Sequence, residues 1–345
     1  MICLHELEIA FPGAGGELEP AVRGVSLELG EGERLGLVGE SGSGKSLTAL
    51  ASLGLVPEPG RIIGGKVEVD GLDLAAAPAA RLRALRGGEI GIVFQEATGA
   101  LNPVYTVGFQ LVETVRVHRS LPRGPARQLA LELLAEVALD DPQAVYRAYP
   151  HELSGGQAQR VMLALALAGA PRFLIADEPT SELDPITRGE VLALIDRLSG
   201  EHGLGLLLIS HDLASVRGAV ERLAVMYAGR IVEEGPAPEV FGAPLHPYTR
   251  ELLAAVPGRR APGLETSLPP SAARSARESD AGPRAQPQAA PARPAGSGCP
   301  YQPRCAIARA ECRETAPELL EIAPGRRLRC PVVATGEAEV GNDSA

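Results

Sequence analysis

The sequence predicts an α/β fold whose core is a mainly parallel β-sheet covered by helices on both faces. Three short runs, residues 35–38, 173–176 and 204–210, are almost entirely apolar, and strands buried on both faces of a parallel sheet have this composition. A glycine-rich loop over residues 39–46 joins the first run to a predicted helix over residues 47–55. Strand, loop and helix in that order form the first unit of such a sheet.

The remaining elements follow from the spacing of apolar residues. Alternating apolar and polar residues predict half-buried strands, and a spacing of three to four residues predicts helices. A glycine between two apolar runs predicts a hairpin. On these grounds we expect strands over 2–11, 22–29 and 90–94, helical structure over 110–140 and 187–199, and a hairpin of 223–227 with 230–234 around Gly229.

Composition divides the chain into segments. From residue 257 to residue 297 the sequence is rich in Pro, Ala, Arg, Ser and Gly and has almost no periodicity, which is typical of a disordered linker. We therefore expect a large folded domain over 1–258, a linker over 259–297, a small cysteine module over 298–333 and a flexible tail over 334–345.

The bulk properties limit the classes of function. The 345 residues carry a formal net charge of −10, which argues against a nucleic-acid binder that uses a broad basic face. No apolar run approaches the ~18 residues that span a bilayer, and the first ten residues lack the pattern of a secretory signal. If the protein works at a membrane, we expect other chains to cross it.

The glycine-rich loop fits the pattern G-x-x-x-x-G-K-[ST]. Glycines let backbone N–H groups point inwards, and the following helix adds the positive end of its dipole, so the loop suits a phosphate. The lysine of this pattern contacts the β- and γ-phosphates and the serine binds Mg²⁺. A plain glycine-rich turn is the alternative, but the strand before and the helix after supply the required context. The predicted phosphate ligands are Gly39, Glu40, Ser41, Gly42, Ser43, Gly44, Lys45 and Ser46.

A second acidic site is predicted where the apolar run 173–176 ends. Asp177 and Glu178 follow this strand directly. Behind a phosphate loop, such an aspartate holds Mg²⁺ and the adjacent glutamate polarises the attacking water. A strand that ends in a solvated Asp-Glu turn is the alternative.

The sequence Leu-Ser-Gly-Gly-Gln at residues 153–157 precedes a predicted helix. Backbone N–H groups at a helix N-terminus form an anion site, and the alternative is an ordinary serine N-cap. With this motif between the phosphate loop and the acidic pair, the chain resembles the ABC transporter ATPase family over residues 1–258. The resemblance implies a P-loop ABC-type nucleotide-binding domain with a mainly parallel core sheet, an antiparallel subdomain and a helical signature subdomain.

The resemblance also assigns site residues. Gln95 matches the residue that contacts Mg²⁺ and senses the membrane partner, and His211 matches the switch histidine at the γ-phosphate. Asp184 matches the D-loop aspartate, although Glu182 departs from the usual alanine. Phe11 stands where the family places an aromatic that stacks on adenine. In the family, two domains pair head to tail, which implies that the signature Ser154, Gly155, Gly156 and Gln157 serves the partner's ATP.

Narrower motifs resemble the oligopeptide and dipeptide permease ATPases. They include Ala-Leu-Asn-Pro at 100–103, residues 225–235, residues 246–257 and Cys-Pro-Tyr-Gln-Pro-Arg-Cys at 299–305. The resemblance implies a peripheral subunit at the cytoplasmic face of the membrane, paired with a second ATPase, in a heterodimer rather than a homodimer. Two permease subunits and an extracytoplasmic binding protein complete the implied complex. A nickel or metal-ion importer and a non-transport ATPase of the DNA-repair type are the alternatives.

Four of the five cysteines lie near the C-terminus in the spacing C-x5-C-x6-C-x17-C. In a reducing compartment such a cluster favours a metal site over disulfides. In some dipeptide-permease ATPases this module resembles a [4Fe–4S] site, and the resemblance implies that Cys299, Cys305, Cys312 and Cys330 hold such a cluster. Structural zinc is the alternative cofactor, and free thiols in a small core are the alternative without a metal.

Overall fold

The computed structural model describes residues 1–13, 15–181, 183–255 and 298–334. The predicted linker over 259–297 and the predicted tail beyond residue 334 lie outside the described residues. The described chain contains two β-sheets, and its helices pack against them around two large apolar clusters.

The larger sheet of the described chain has eight strands: β3 (Arg34–Val38), β6 (Ile90–Val93), β7 (Phe173–Asp177), β8 (Gly205–Ser210), β9 (Arg222–Tyr227), β10 (Arg230–Pro236), β11 (Leu320–Ala323) and β12 (Arg326–Leu328). Their order across the sheet is β11-β12-β10-β9-β3-β8-β7-β6. Strands β9, β3, β8, β7 and β6 are parallel, whereas β10, β12 and β11 are added antiparallel. The mainly parallel core that the sequence predicts is confirmed.

The parallel strands are apolar throughout because both of their faces are covered. Successive side chains of a strand point to opposite faces. In β8, Leu206 and Leu208 belong to one apolar cluster, while Leu207 and Ile209 belong to the other. The edge of the sheet at which these strands end is therefore held between two rigid layers.

The smaller sheet is antiparallel, in the order β2-β1-β4-β5. Its strands are β1 (Ile2–Pro12), β2 (Leu18–Leu29), β4 (Arg61–Val69) and β5 (Leu72–Asp73). Leu7 and Ile9 are fully buried and join the same cluster as Ile175 of β7. This packing fixes the small sheet against one face of the core sheet.

The helices of the described ranges are α1 (Lys45–Ala51), α2 (Ala79–Gly88), α3 (Ala97–Ala100), α4 (Val107–Arg119), α5 (Arg123–Glu136), α6 (Pro142–Arg147), α7 (Gly155–Leu167), α8 (Pro185–Glu201), α9 (Leu213–Val216), α10 (Ala237–Gly242), α11 (Pro247–Ala254), α12 (Glu311–Glu314) and α13 (Pro331–Ala334). Short 3₁₀ turns cover Pro150–Glu152 and Gln302–Arg304. No helix in these ranges is both long enough and apolar enough to cross a membrane.

The helical structure predicted over 110–140 is present and is divided into two helices. The structure has two helices there, α4 and α5, because Ser120 takes a left-handed φ of 53° and Pro122 precedes the second helix. A proline lacks a backbone donor and disfavours helical geometry in the residue before it. Together with α6 and α7, these helices bury Leu111, Leu134 and other side chains in the larger cluster.

The C-terminal segment is attached to the core sheet. Strand β12 pairs with β10, with Glu233 opposite Leu328 and Glu234 opposite Arg327. The Arg326 guanidinium lies 3.0 Å from the buried Glu233 carboxylate. Residues 298–334 therefore extend the sheet at β10.

Candidate functional site

The loop after β3 is shaped by glycines at which side chains do not fit. A Cβ on Gly39 would lie 2.1 Å from the Met226 carbonyl oxygen. Gly44, at φ 104°, would place a Cβ 2.9 Å from the carbonyl oxygen of Ala21. Real Cβ atoms do not approach oxygen so closely, so the loop lies against neighbouring backbone only because these residues are glycines.

Lys45 begins α1 and is 3% exposed. Its Nζ donates to the carbonyl oxygens of Gly39 and Glu40 at 2.8 and 2.9 Å. The Nζ also lies 3.9 Å from Oε1 of Glu178. Burial lowers the pKa of Lys45, and the nearby carboxylates, Glu178 foremost, oppose that shift. The ammonium group is thus held inside the loop, in reach of the acidic pair.

Ser46 and Asp177 form the second contact between the loop and the end of β7. Ser46 Oγ donates to Asp177 Oδ1 at 3.0 Å. Burial raises the pKa of Asp177, and the hydrogen bond from Ser46 lowers it in part. A buried carboxylate of this kind favours a nearby cation.

Glu178 and His211 form a hydrogen-bonded pair beside Lys45. The distance between His211 Nδ1 and Glu178 Oε2 is 2.8 Å. Glu178 is 9% exposed and has a φ of 46°, which is uncommon for a residue with a side chain. Because β7 and β8 are parallel neighbours, their carboxyl ends bring these two residues together. The structure therefore assembles a lysine, a serine, two carboxylates and a histidine at one sheet edge.

The predicted signature residues lie apart from that group. Ser154 is the N-cap of α7: its Oγ accepts from Gln157 N at 3.2 Å, and the Gln157 side chain accepts from Ser154 N at 3.0 Å. Ser154, Gly155 and Gln157 are exposed. Within the described chain they make no hydrogen bond to Lys45 or its neighbours, so this end of the helix faces outwards.

Three further predicted residues are also outside the group. Gln95 is exposed just beyond β6, at the same edge of the sheet. Phe11 is half-buried in β1, and a Cβ on Gly60 would lie 2.6 Å from its ring. Asp184 caps α8 by accepting from Ile186 N and Thr187 N. The predicted roles of these three residues stay predictions.

Sequence reasoning missed a set of contacts around Glu40 of the loop. Glu40 N donates to the hydroxyl of Tyr248, which is fully buried, at 2.8 Å. Arg304 Nη1 lies 3.0 and 3.2 Å from the two Glu40 carboxylate oxygens. Arg304 follows Glu40 by 264 positions, and no local pattern in the sequence links residues so far apart.

The four C-terminal cysteines are free thiols. Cys299, Cys312 and Cys330 share one small apolar cluster, and Cys305 packs against the larger one. Burial raises the pKa of Cys299, Cys305 and Cys330. Among the residues that the structure describes, no three His, Cys, Asp or Glu side chains are arranged to hold a metal ion. This arrangement does not fit the predicted [4Fe–4S] or zinc site.

Comparison with known proteins follows the same division of the chain. Residues 22–181 match the family model described as ABC transporter, and residues 232–312 match the one described as oligopeptide/dipeptide transporter, C-terminal region. The dipeptide transport ATP-binding protein of Escherichia coli K12 is 41% identical over 337 residues, which cover 96% of each chain. The chain belongs to the ABC transporter ATP-binding family. A second relative of this ABC ATPase, a putative peptide import ATP-binding protein of Brucella abortus, is 42% identical over 95% of the chain and 93% of the relative.

Solved structures agree with this assignment. A dimeric bacterial ABC transporter cassette superposes on this ABC ATPase with a TM-score of 0.61 at 29% identity, covering 69% of the chain and 99% of the cassette. The same cassette in a post-hydrolysis state, bound to ADP and Pi, gives a TM-score of 0.60. The predicted family, fold class and ATPase activity are confirmed.

Proposed function

We propose that this ABC ATPase is the ATP-hydrolysing motor of an importer for di- and oligopeptides. The observation that carries the proposal is the similarity to a dipeptide transport ATP-binding protein along 96% of the chain, the C-terminal region included. A nickel or metal-ion importer and a non-transport ATPase of the DNA-repair type are the alternatives. Within this proposal, residues 1–258 form the ATPase domain, 259–297 a linker, 298–333 the C-terminal module and 334–345 a flexible tail.

The glycine loop is the proposed site for the ATP phosphates. Lys45 now bonds two carbonyl oxygens of its own loop, and phosphate oxygens would replace these as acceptors. Oxygen donors suit Mg²⁺, and Ser46 Oγ lies beside Asp177 Oδ1, so these residues fit the ion. Ser46 and Asp177 would hold Mg²⁺, with Gln95 as a further ligand. The ion would neutralise phosphate charge. Phe11 is the proposed adenine contact.

Glu178 is the proposed group that orients and polarises the attacking water. Its carboxylate is held from two sides, by His211 at 2.8 Å and by Lys45 at 3.9 Å. A base fixed in this way needs little reorganisation during the reaction. His211 orients Glu178 in this arrangement and, in the proposed mechanism, contacts the γ-phosphate.

The exposed signature supports a dimer in which each ATP lies between two subunits. Ser154–Gln157 forms no bond with the group around Lys45 in its own chain, so we propose that it binds the partner's nucleotide, with Asp184 at the same interface. The proposed partner is a second ATPase subunit, in a heterodimer. The complete importer would add two permease subunits and an extracytoplasmic binding protein, with this chain at the cytoplasmic face of the membrane.

The cysteine module remains a separate proposal. The four cysteines supply the thiol donors that an iron–sulfur or zinc site requires, although in the described residues no three of them are arranged around one metal position. Iron, sulfide and zinc content of anaerobically purified protein tests it. About four irons and four sulfides per chain would support the cluster. Stoichiometric zinc would support the alternative site, and neither metal would refute both.

Transport by the intact complex tests the proposed function. Cells that lack the chain should lose uptake of a labelled dipeptide, and the wild-type chain should restore it while Glu178→Gln should not. Uptake of labelled nickel ions is the matched control and should be unaffected. Dependence of nickel uptake on the chain, with dipeptide uptake unchanged, would overturn the peptide assignment.

A further inference from the structure

A cation from the C-terminal module is fixed against the phosphate loop. The Arg304 guanidinium spans two carboxylates: Nη1 lies 3.0 Å from the Glu40 carboxylate, and Nη2 lies 2.5 Å from the Glu251 carboxylate of α11. The same group lies over the rings of Tyr227 and Tyr301, with its central carbon 5.9 and 5.7 Å from the ring centroids. Because the guanidinium is bound by two carboxylates and lies over two aromatic rings, Arg304 has little freedom to move.

The anchor beneath Arg304 is rigid. Tyr301 is 4% exposed, its hydroxyl donates to Glu251, and its ring lies against Tyr248 with centroids 5.6 Å apart. Tyr248 in turn accepts a hydrogen bond from Glu40 N. Glu40 is therefore held at its backbone by α11 and at its carboxylate by the C-terminal module.

Glu40 stands inside the loop that is proposed to bind phosphates. Its own carbonyl oxygen accepts from Lys45 Nζ. An unpaired carboxylate at this position would repel an incoming polyphosphate, and solvent would screen part of this repulsion because the Glu40 side chain is 44% exposed. A fixed guanidinium on the carboxylate cancels most of that charge.

We propose that Arg304 is a positioning residue of the nucleotide site, which neutralises Glu40 and so makes ATP affinity depend on the C-terminal module. This inference rests on the proposed function. It assigns the module a role in nucleotide binding that requires no metal. Residues 298–334 would then act on the ATPase cycle through a single ion pair with the loop.

A double-mutant cycle on the full-length chain tests the inference. Dissociation constants for ATP with Mg²⁺ would be measured by calorimetry for wild type, Arg304→Ala, Glu40→Gln and the double variant. Loss of Arg304 alone should weaken binding roughly three- to fivefold, as expected for a partly screened like charge near the ligand. In the Glu40→Gln background the same change should have an effect of at most about twofold. Arg304→Lys should restore part of the affinity, because it keeps the charge without the planar fork.

Arg313→Ala is the matched control, since Arg313 is exposed on the same module. It should bind ATP as wild type does, and all variants should show one thermal transition. Equal loss of affinity for Arg304→Ala in both backgrounds, or affinity equal to that of Arg313→Ala, would overturn the inference. A wild-type chain that binds no ATP would refute the proposed function, and the inference with it.

Discussion

Replacing Glu233 by alanine removes a carboxylate that links β10 to the start of α11 and to β12. Glu233 of β10 is 0% exposed. Its carboxylate accepts from Leu245 N at 2.9 Å and from His246 N at 2.8 Å, which fixes the start of α11. It also accepts from Arg326 Nη2 at 3.0 Å, which fixes β12. The variant tests whether the C-terminal segment is part of the folded core.

The expected loss of stability is large because the groups left behind are buried. Arg326 is 8% exposed, and removing one partner of a buried ion pair costs about 3–5 kcal/mol. The two backbone N–H groups add to the loss, and relaxation of the 245–246 turn offsets part of it. A destabilisation of about 3–5 kcal/mol corresponds to a fall of roughly 6–20 °C in Tm for a domain of this size.

Calorimetry or circular dichroism at constant protein concentration measures the shift. Glu239→Ala is the matched control, because Glu239 also contacts Arg326 but its side chain is 55% exposed, and it should cost less than about 1 kcal/mol. Glu233→Gln keeps an acceptor and should lie between the two. A Tm for Glu233→Ala no lower than that of Glu239→Ala would show that the segment is not held as described.

Two further predictions concern the loop and α11. Gly39→Ala should abolish ATP binding, because the new Cβ would lie 2.1 Å from the Met226 carbonyl oxygen. Gly32→Ala, at φ 71° in open space, should cost only about 1–2 kcal/mol and leave binding intact; equal ATP affinity of the two variants would contradict the steric argument. Burial lowers the pKa of His246 to about 3, so between about pH 6.5 and pH 3 the unfolded chain binds a proton that the folded chain does not. As the pH is lowered through this range, His246 should therefore decrease the free energy of unfolding by up to about 1.4 kcal/mol per pH unit. His246→Asn keeps an acceptor for Tyr248 N but has no imidazole to protonate. Denaturant titrations from pH 7 to pH 4 should therefore show a smaller dependence of the unfolding free energy on pH for the variant than for wild type. The same pH dependence in both proteins would refute the lowered pKa of His246.

The sequence was sufficient where function requires a fixed local pattern. Three features of the site each follow directly after a strand that the sequence pattern predicts. They are the loop at 39–46 after β3, the acidic pair after β7 and the histidine after β8. Parallel pairing then brings them together, because all three strands end at one edge of the sheet. Their assembly could thus be expected before any distance was known.

Other features depend on contacts between distant parts of the chain. Strand β4 begins with Arg61, Ile62 and Ile63, all of which are exposed, so its pattern does not alternate. Strands β11 and β12 are short, and β11 is exposed throughout. They form because β12 pairs with β10 and β11 pairs with β12. The link from Arg304 to Glu40 likewise exists only because β12 and α11 bring the module beside the loop.

Hydrolysis by the Glu178→Gln variant tests the central claim most directly. The substitution keeps the size of the Glu178 side chain and removes the charge that polarises water. Lys45 and the loop stay in place. The assembled transporter carrying the variant should bind ATP with a dissociation constant within about threefold of wild type and release phosphate at least ~100-fold more slowly. Phosphate release within a few-fold of wild type would contradict the account of how this site works.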